Sequence, residues 1–141
     1  MTETVEMQFR AVRIMHRIMF ASVIVYASLA ESLIKSTRSL PLSITLSFGI
    51  TAIAIALVAF GYRMKMLSSA TETLRRNPQD AQALFRWRQA QILIAVLLQS
   101  IGLFGFVLRF MGGSFSLAFP FYTASILLLL LLAPRQVVDA N

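Results

Sequence analysis

A chain of 141 residues leaves room for a single domain, and one that is 57% hydrophobic with a mean hydropathy of +0.74 is too apolar for an ordinary soluble fold. Cysteine is absent, which removes disulfides, thiolate metal sites, covalent haem attachment and cysteine nucleophiles, and the one histidine, His16, supplies at most a single ligand, so no metal or cofactor is expected. The net charge of +7 comes from Lys and Arg residues that flank apolar runs instead of forming a tract, so they read as topology signals and no nucleic-acid partner is expected.

Four apolar stretches follow one another. The first, residues 18–34, comes after Arg10, Arg13 and Arg17 and carries one acid, Glu31, near its far end. A basic segment, a short apolar run and Ala27-Ser28-Leu29-Ala30 together resemble a cleavable leader, but the expectation preferred here is a retained span whose helix begins outside the hydrocarbon. The second span covers residues 41–62, with Ser39 as its expected N-cap and Pro41 within the first turn. The third covers 92–108. The fourth covers 115–133, is ended by Pro134, and contains Pro120, which is a candidate for the true first turn after an irregular Gly112-Gly113-Ser114 approach.

Ten positive residues fall on one side of this arrangement: Arg10, Arg13 and Arg17, then Arg63, Lys65, Arg75, Arg76, Arg86 and Arg88 between spans two and three, and Arg135 in the tail. Only Lys35, Arg38 and Arg109 fall on the other. The positive-inside rule then predicts an all-α integral protein of the inner membrane, a single domain over residues 1–141 with both termini cytoplasmic. Trp87, Tyr62 and Tyr122 lie near the ends of spans and are expected to anchor at the headgroups.

Two helical faces gather polar groups. Glu6, Arg10, Arg13, Arg17, Ser28, Glu31 and Lys35 share one sector of the first helix. The arginines read as anchors against anionic headgroups. An ionisable group inside an apolar run is a functional-site candidate, yet Lys35 lies one turn beyond Glu31 and the i, i+4 pair is the preferred explanation. On the third span Arg88, Gln91, Ala95, Gln99, Gly102 and Arg109 share a face with Gly105 at its margin, which suits close helix packing with Gln99 hydrogen-bonding across the contact. Ser43, Ser47, Thr51 and Ala54 form a small-residue strip on the second span that is expected to receive the third. The apolar run 126–132 is expected to face lipid or a hydrophobic partner.

Between Arg63 and Arg88 glycine is absent and Pro78 is the one proline, so two helices are expected to continue beyond the membrane as a long hairpin with a basic tip. Met64, Leu67, Ala70 or Thr71, and Leu74 recur at helical spacing and extend the second helix. Asn77 is the expected cap of the third, with Pro78 first in it and Asp80 third, and Ala81, Leu84 and Phe85 are expected to pack on the preceding helix. Attraction to the inner leaflet accounts for the basic tip.

The tripeptide Arg76-Asn77-Pro78, followed by the run Gln99-Ser100-Ile101-Gly102-Leu103-Phe104-Gly105, resembles the c subunit of rotary ATP synthases over residues 59–110. That resemblance implies two long helices joined by a polar loop. In the family the position resembling Gln99 is an ion-carrying carboxylate, and an amide does not take up and release protons near neutral pH, so rotor chemistry is not implied at this residue.

No nucleophile with its base, intramembrane carboxylate pair, metal cluster or glycine-rich phosphate loop is visible. The expected function is therefore non-catalytic: an accessory or structural subunit of a larger membrane complex, or a homo-oligomeric bundle, in contact with lipids. One alternative is translocation of a proton, ion or small solute using Glu31 and Gln99; another is lipid or quinone binding between helices with His16 or Tyr26 as donors.

Overall fold

The computed structural model describes residues 2–35, 37–77 and 79–134, with side chains from Glu6 onward. Pro78 and Arg135, which entered the expectations for the hairpin turn and the topology, lie outside the described residues. All regular structure among the described residues is helical: α1 (Thr2–Leu33), α2 (Leu42–Tyr62), α3 (Ser68–Arg76), α4 (Ala81–Phe110) and α5 (Phe115–Leu131). A π turn, Arg63–Leu67, joins α2 to α3. Tyr62, Arg63, Leu67 and Ser68 all keep right-handed helical dihedrals, so α2, the turn and α3 form one continuous rod.

The π turn has a packing cause. Closing at i→i+5, it takes up about one residue more than an α turn. The stretch from Ala59 to Leu67 therefore makes two whole turns, and both side chains reach the core. Beyond it, Ala70 and Leu74 continue the buried stripe, while Met64, expected on the same stripe, is turned outward by the π turn.

Three helical stretches, Glu6–Leu33, Leu42–Arg76 and Ala81–Phe110, are long and apolar enough to cross a membrane. The fourth expected span is shorter. At 17 residues α5 measures about 26 Å, against roughly 30 Å of hydrocarbon. It starts at Phe115 behind Ser114, whose carbonyl accepts from Leu117 and Ala118, so Pro120 lies inside the helix and is not its first turn.

The central element is α4, on which α1, α2, α3 and α5 all pack. Its inward side buries Trp87, Gln91, Ile94, Leu98, Ile101, Gly102, Gly105, Leu108 and Arg109. Among the described residues α2 makes its substantial contacts with α4 and its own continuation, including an edge-on pair of Phe48 and Phe104 with ring centroids 5.3 Å apart. The outcome reverses one expectation. Ser43, Ser47, Thr51 and Ala54 face outward, while Ala52, Ala59, Ile44, Phe48 and Ile55 meet α4. Bulky side chains on that side interlock with α4, and the hydroxyls are satisfied within their own helix, Ser47 by the Ser43 carbonyl and Thr51 by the Ser47 carbonyl, each at 2.8 Å.

Helix ends differ from expectation in the same local way. Pro41, not Ser39, occupies the N-cap of α2. At the hairpin, Asp80 caps α4, its Oδ1 accepting from Gln82 and Ala83 at 2.9 Å each, and Asn77 instead closes the turn by accepting from Gln79. A carboxylate immediately before the first helical residue satisfies two orphan N–H groups, which Asn77 is too far back to reach. Where α4 ends, the chain reverses through a Schellman motif: Gly113 donates to the Leu108 carbonyl, Gly112 to that of Arg109, and Gly112 takes the positive φ of 96° that this turn requires.

Two aromatic rings expected at the headgroups are core residues. Trp87 is 1% exposed and packs edge-on to Phe9, ring centroids 4.4 Å apart, while Tyr122 is 3% exposed beneath Gly105. Helices α1, α3 and α4 extend far enough past their apolar runs to bury Trp87 with Phe9 and Leu74, a small hydrophobic core at the hairpin end. The 126–132 run is also only partly outward, since Leu129 and Leu132 are buried against the bundle.

Candidate functional site

Polar side chains within the apolar helices gather at three levels, and each level joins helices that are distant in sequence. At the loop end the centre is Arg109, 5% exposed on the last turn of α4. Its Nε donates to Glu31 Oε1 at 2.7 Å and its Nη2 to Glu31 Oε2 at 3.3 Å, a two-pronged ion pair with α1. Nη2 also donates to the Ile34 carbonyl at 2.7 Å and Nη1 to the Gly113 carbonyl at 3.0 Å. One guanidinium thus ties the end of α1 to the α4–α5 turn, and Arg38 N–H adds a bond to the Gly112 carbonyl at 2.7 Å.

The pairing of Glu31 with Lys35 does not occur. Helix α1 stops at Leu33, so Lys35 lies past the last helical turn and the i, i+4 geometry is lost. A guanidinium fork on a neighbouring helix also matches a carboxylate better than a lysine point charge does. Tyr122 packs beside Gly105 just below this cluster, and its hydroxyl is buried without a hydrogen-bond partner among the described residues.

In the middle of the bundle the Gln99 amide donates to Ser22 Oγ and Tyr26 Oη, both on α1 and both at 2.8 Å. Ser125 of α5 donates to the Leu98 carbonyl at 2.7 Å. Gly102 makes this second bond possible. A Cβ at that position would lie 3.1 Å from Ser125 Oγ and 3.0 Å from Val23 Cγ1, and it would shade the carbonyl one turn before it. Gly105 is tighter: its Cβ would meet the Ala118 carbonyl oxygen at 2.9 Å, a backbone atom with nowhere to move. At Gly102 the close neighbours are Val23 of α1 and Ser125 of α5, and at Gly105 they all belong to α5.

The third level is His16, whose Nε2 lies 2.8 Å from the Leu129 carbonyl. Pro134 has no N–H, and Ala133 bonds to Leu130 instead of Leu129, so the Leu129 carbonyl is left over at the end of α5. A carbonyl only accepts; Nε2 therefore carries the proton, and His16 is a C-terminal cap delivered from another helix. The sequence signal is Pro134, which ends the helix, so that the Ala133 N–H closes the last turn on Leu130 and leaves Leu129 over.

Glu31 and Gln99 are not brought together. Their partners on α4 and α1 are distinct, and Gln99 and Arg109 stand about 15 Å apart along the helix. The basic residues Arg10, Arg17, Arg75, Arg76, Arg86 and Arg88 are exposed at the hairpin end and Arg13 is half-buried there. Among them Arg76 pairs with Glu72 at 3.1 Å and Arg88 donates to Gln8 at 2.8 Å. No group of three or more metal-binding side chains occurs among the described residues.

Fold and site together define a helical protein with spans suited to a membrane and polar groups engaged between its own helices. No family, curated protein or solved structure matches the chain.

Proposed function

We propose that the chain is a non-catalytic component of the inner membrane, an accessory or structural subunit of a larger complex or a homo-oligomeric bundle. It crosses four times, with both termini and the α3–α4 hairpin in the cytoplasm. The observation that carries this reading is the engagement of Glu31, Gln99, Ser125 and His16 in bonds between helices, which spends their chemistry on assembly of the bundle. The outer side of α2 supports it: Leu42, Leu46, Ile50, Ile53 and Leu57 are all more than half exposed, an apolar surface for lipid or a neighbouring subunit. The short α5 spans with modest local thinning of the bilayer.

Purification in a mild detergent tests the reading. A complex of fixed stoichiometry is expected, together with labelling of Arg75→Cys from the cytoplasmic side only. A solitary monomer, or vesicles whose ion flux disappears in Glu31→Gln, would overturn it.

A further inference from the structure

The hairpin was expected to be basic because the inner leaflet is acidic, but its geometry takes the tip away from the leaflet. From Arg63, at the end of the apolar run of α2, to Arg76 the rod rises about 20 Å. The field of a charged surface decays over roughly 8 Å at physiological ionic strength. Allowing about 5–7 Å for the headgroup layer, Arg75 and Arg76 stand roughly 11–15 Å, about one and a half to two such lengths, above the charged surface.

Along this rise lies a groove of about 320 Å³, lined by Arg63, Leu67, Ser68, Thr71, Glu72 and Arg75. These residues form one face of the rod, starting at the π turn, with an arginine at each end about 18 Å apart. Its one acid is already engaged, since Glu72 turns to Arg76. Arg63 and Arg75 pair with no carboxylate among the described residues. Between them the Leu67 side chain forms an apolar floor and the Ser68 hydroxyl is bonded back to the Met64 carbonyl.

We propose that this groove docks an acidic segment of a partner protein, which rests on the reading of the chain as a subunit of a complex. A single lipid headgroup reaches one arginine or the other but not both. An extended polypeptide covers the separation in about six residues and places a carboxylate at each end. A nucleic acid backbone would set further phosphates against Glu72 and the apolar floor between the two that met the arginines.

The test is photocrosslinking of the full-length protein in intact cells, with benzoylphenylalanine in place of Thr71. Crosslinks are expected on a protein segment holding at least two Asp or Glu residues. Arg63→Gln with Arg75→Gln should lower the yield at least tenfold, while Arg10→Gln with Arg86→Gln, which removes the same charge elsewhere, should change it less than twofold. Reversing the two arginines to Glu and the partner's acids to Arg should restore it, which separates loss of docking from loss of folding. Crosslinks to lipid, to RNA or to a non-acidic surface, an absence of crosslinks, or equal sensitivity to both double substitutions would overturn the proposal. Thiol labelling of Arg75→Cys distinguishes the two levels: reaction from outside the cell defeats the topology itself, whereas reaction from inside with any of those outcomes defeats docking alone.

Discussion

Replacing Arg109 by methionine tests the stability of the loop end. The substitution keeps the length and apolar stem of the side chain but removes the two bonds to Glu31 and those to the Ile34 and Gly113 carbonyls. Hydrogen bonds to charged groups contribute about 1.5–3 kcal/mol in soluble proteins, but those measured between membrane helices average nearer 0.6 kcal/mol. Glu31 is also 36% exposed at its side chain, so water recovers part of its solvation. Summing four bonds at the lower figure gives a loss of about 2–3 kcal/mol. Glu31→Gln is milder, about 1 kcal/mol, because the amide oxygen still accepts from Nε. Reversible unfolding in mixed micelles measures both. The decisive quantity is the coupling in the double variant, which should destabilise little more than Arg109→Met alone. Fully additive losses would show that the two residues act independently and refute the clamp.

The glycines rank by what a methyl group would strike. Gly105→Ala should cost about 2 kcal/mol, because the obstacle is a carbonyl, and Gly102→Ala less, because Ser125 and Val23 can turn; Gly49→Ala, with open space around it, should gain a few tenths, all read from the same unfolding curves. Gln99→Leu should lose about 1–2 kcal/mol, and most of that loss should vanish in a background already carrying Ser22→Ala and Tyr26→Phe. Tyr122→Phe should be neutral or stabilising, since the hydroxyl it removes is buried without a partner; a loss above about 1 kcal/mol would mean the hydroxyl is bonded. His16→Leu should fray the end of α5, seen as faster amide exchange around Leu132, whereas His16→Gln, which retains a donor, should restore most of the protection.

The helical character and the long apolar stretches were readable because they depend on composition over many residues. On α4, Gln91, Ala95, Gly102, Gly105 and Arg109 are buried as their helical spacing indicates, whereas Arg88, expected on the same face, is exposed. What escaped depended on partners far away in sequence. Lys35, one turn beyond Glu31, was the partner that spacing suggested; α1 ending at Leu33 removes that geometry, and Arg109 is 78 residues away in sequence. On α2 small residues occupy both sides, so spacing could not say whether Ser47 or Ala52 met α4. Trp87 misled because an indole near a span end suits a headgroup equally well, and only the joint reach of α1 and the hairpin gives it a core. The Asp80 cap was a matter of register, since Asn77 and Asp80 are both good caps and the intervening turn decides between them.

The clamp at Arg109 also orders events during synthesis. Glu31 emerges from the ribosome 78 residues before the guanidinium that neutralises it. At about 5–20 residues per second the first helix waits roughly 4–16 s with an unsatisfied carboxylate near its C-terminal end. A chain halted before α4 is complete therefore leaves Glu31 without its cross-helix partner, and the loop end closes only when Arg109 arrives.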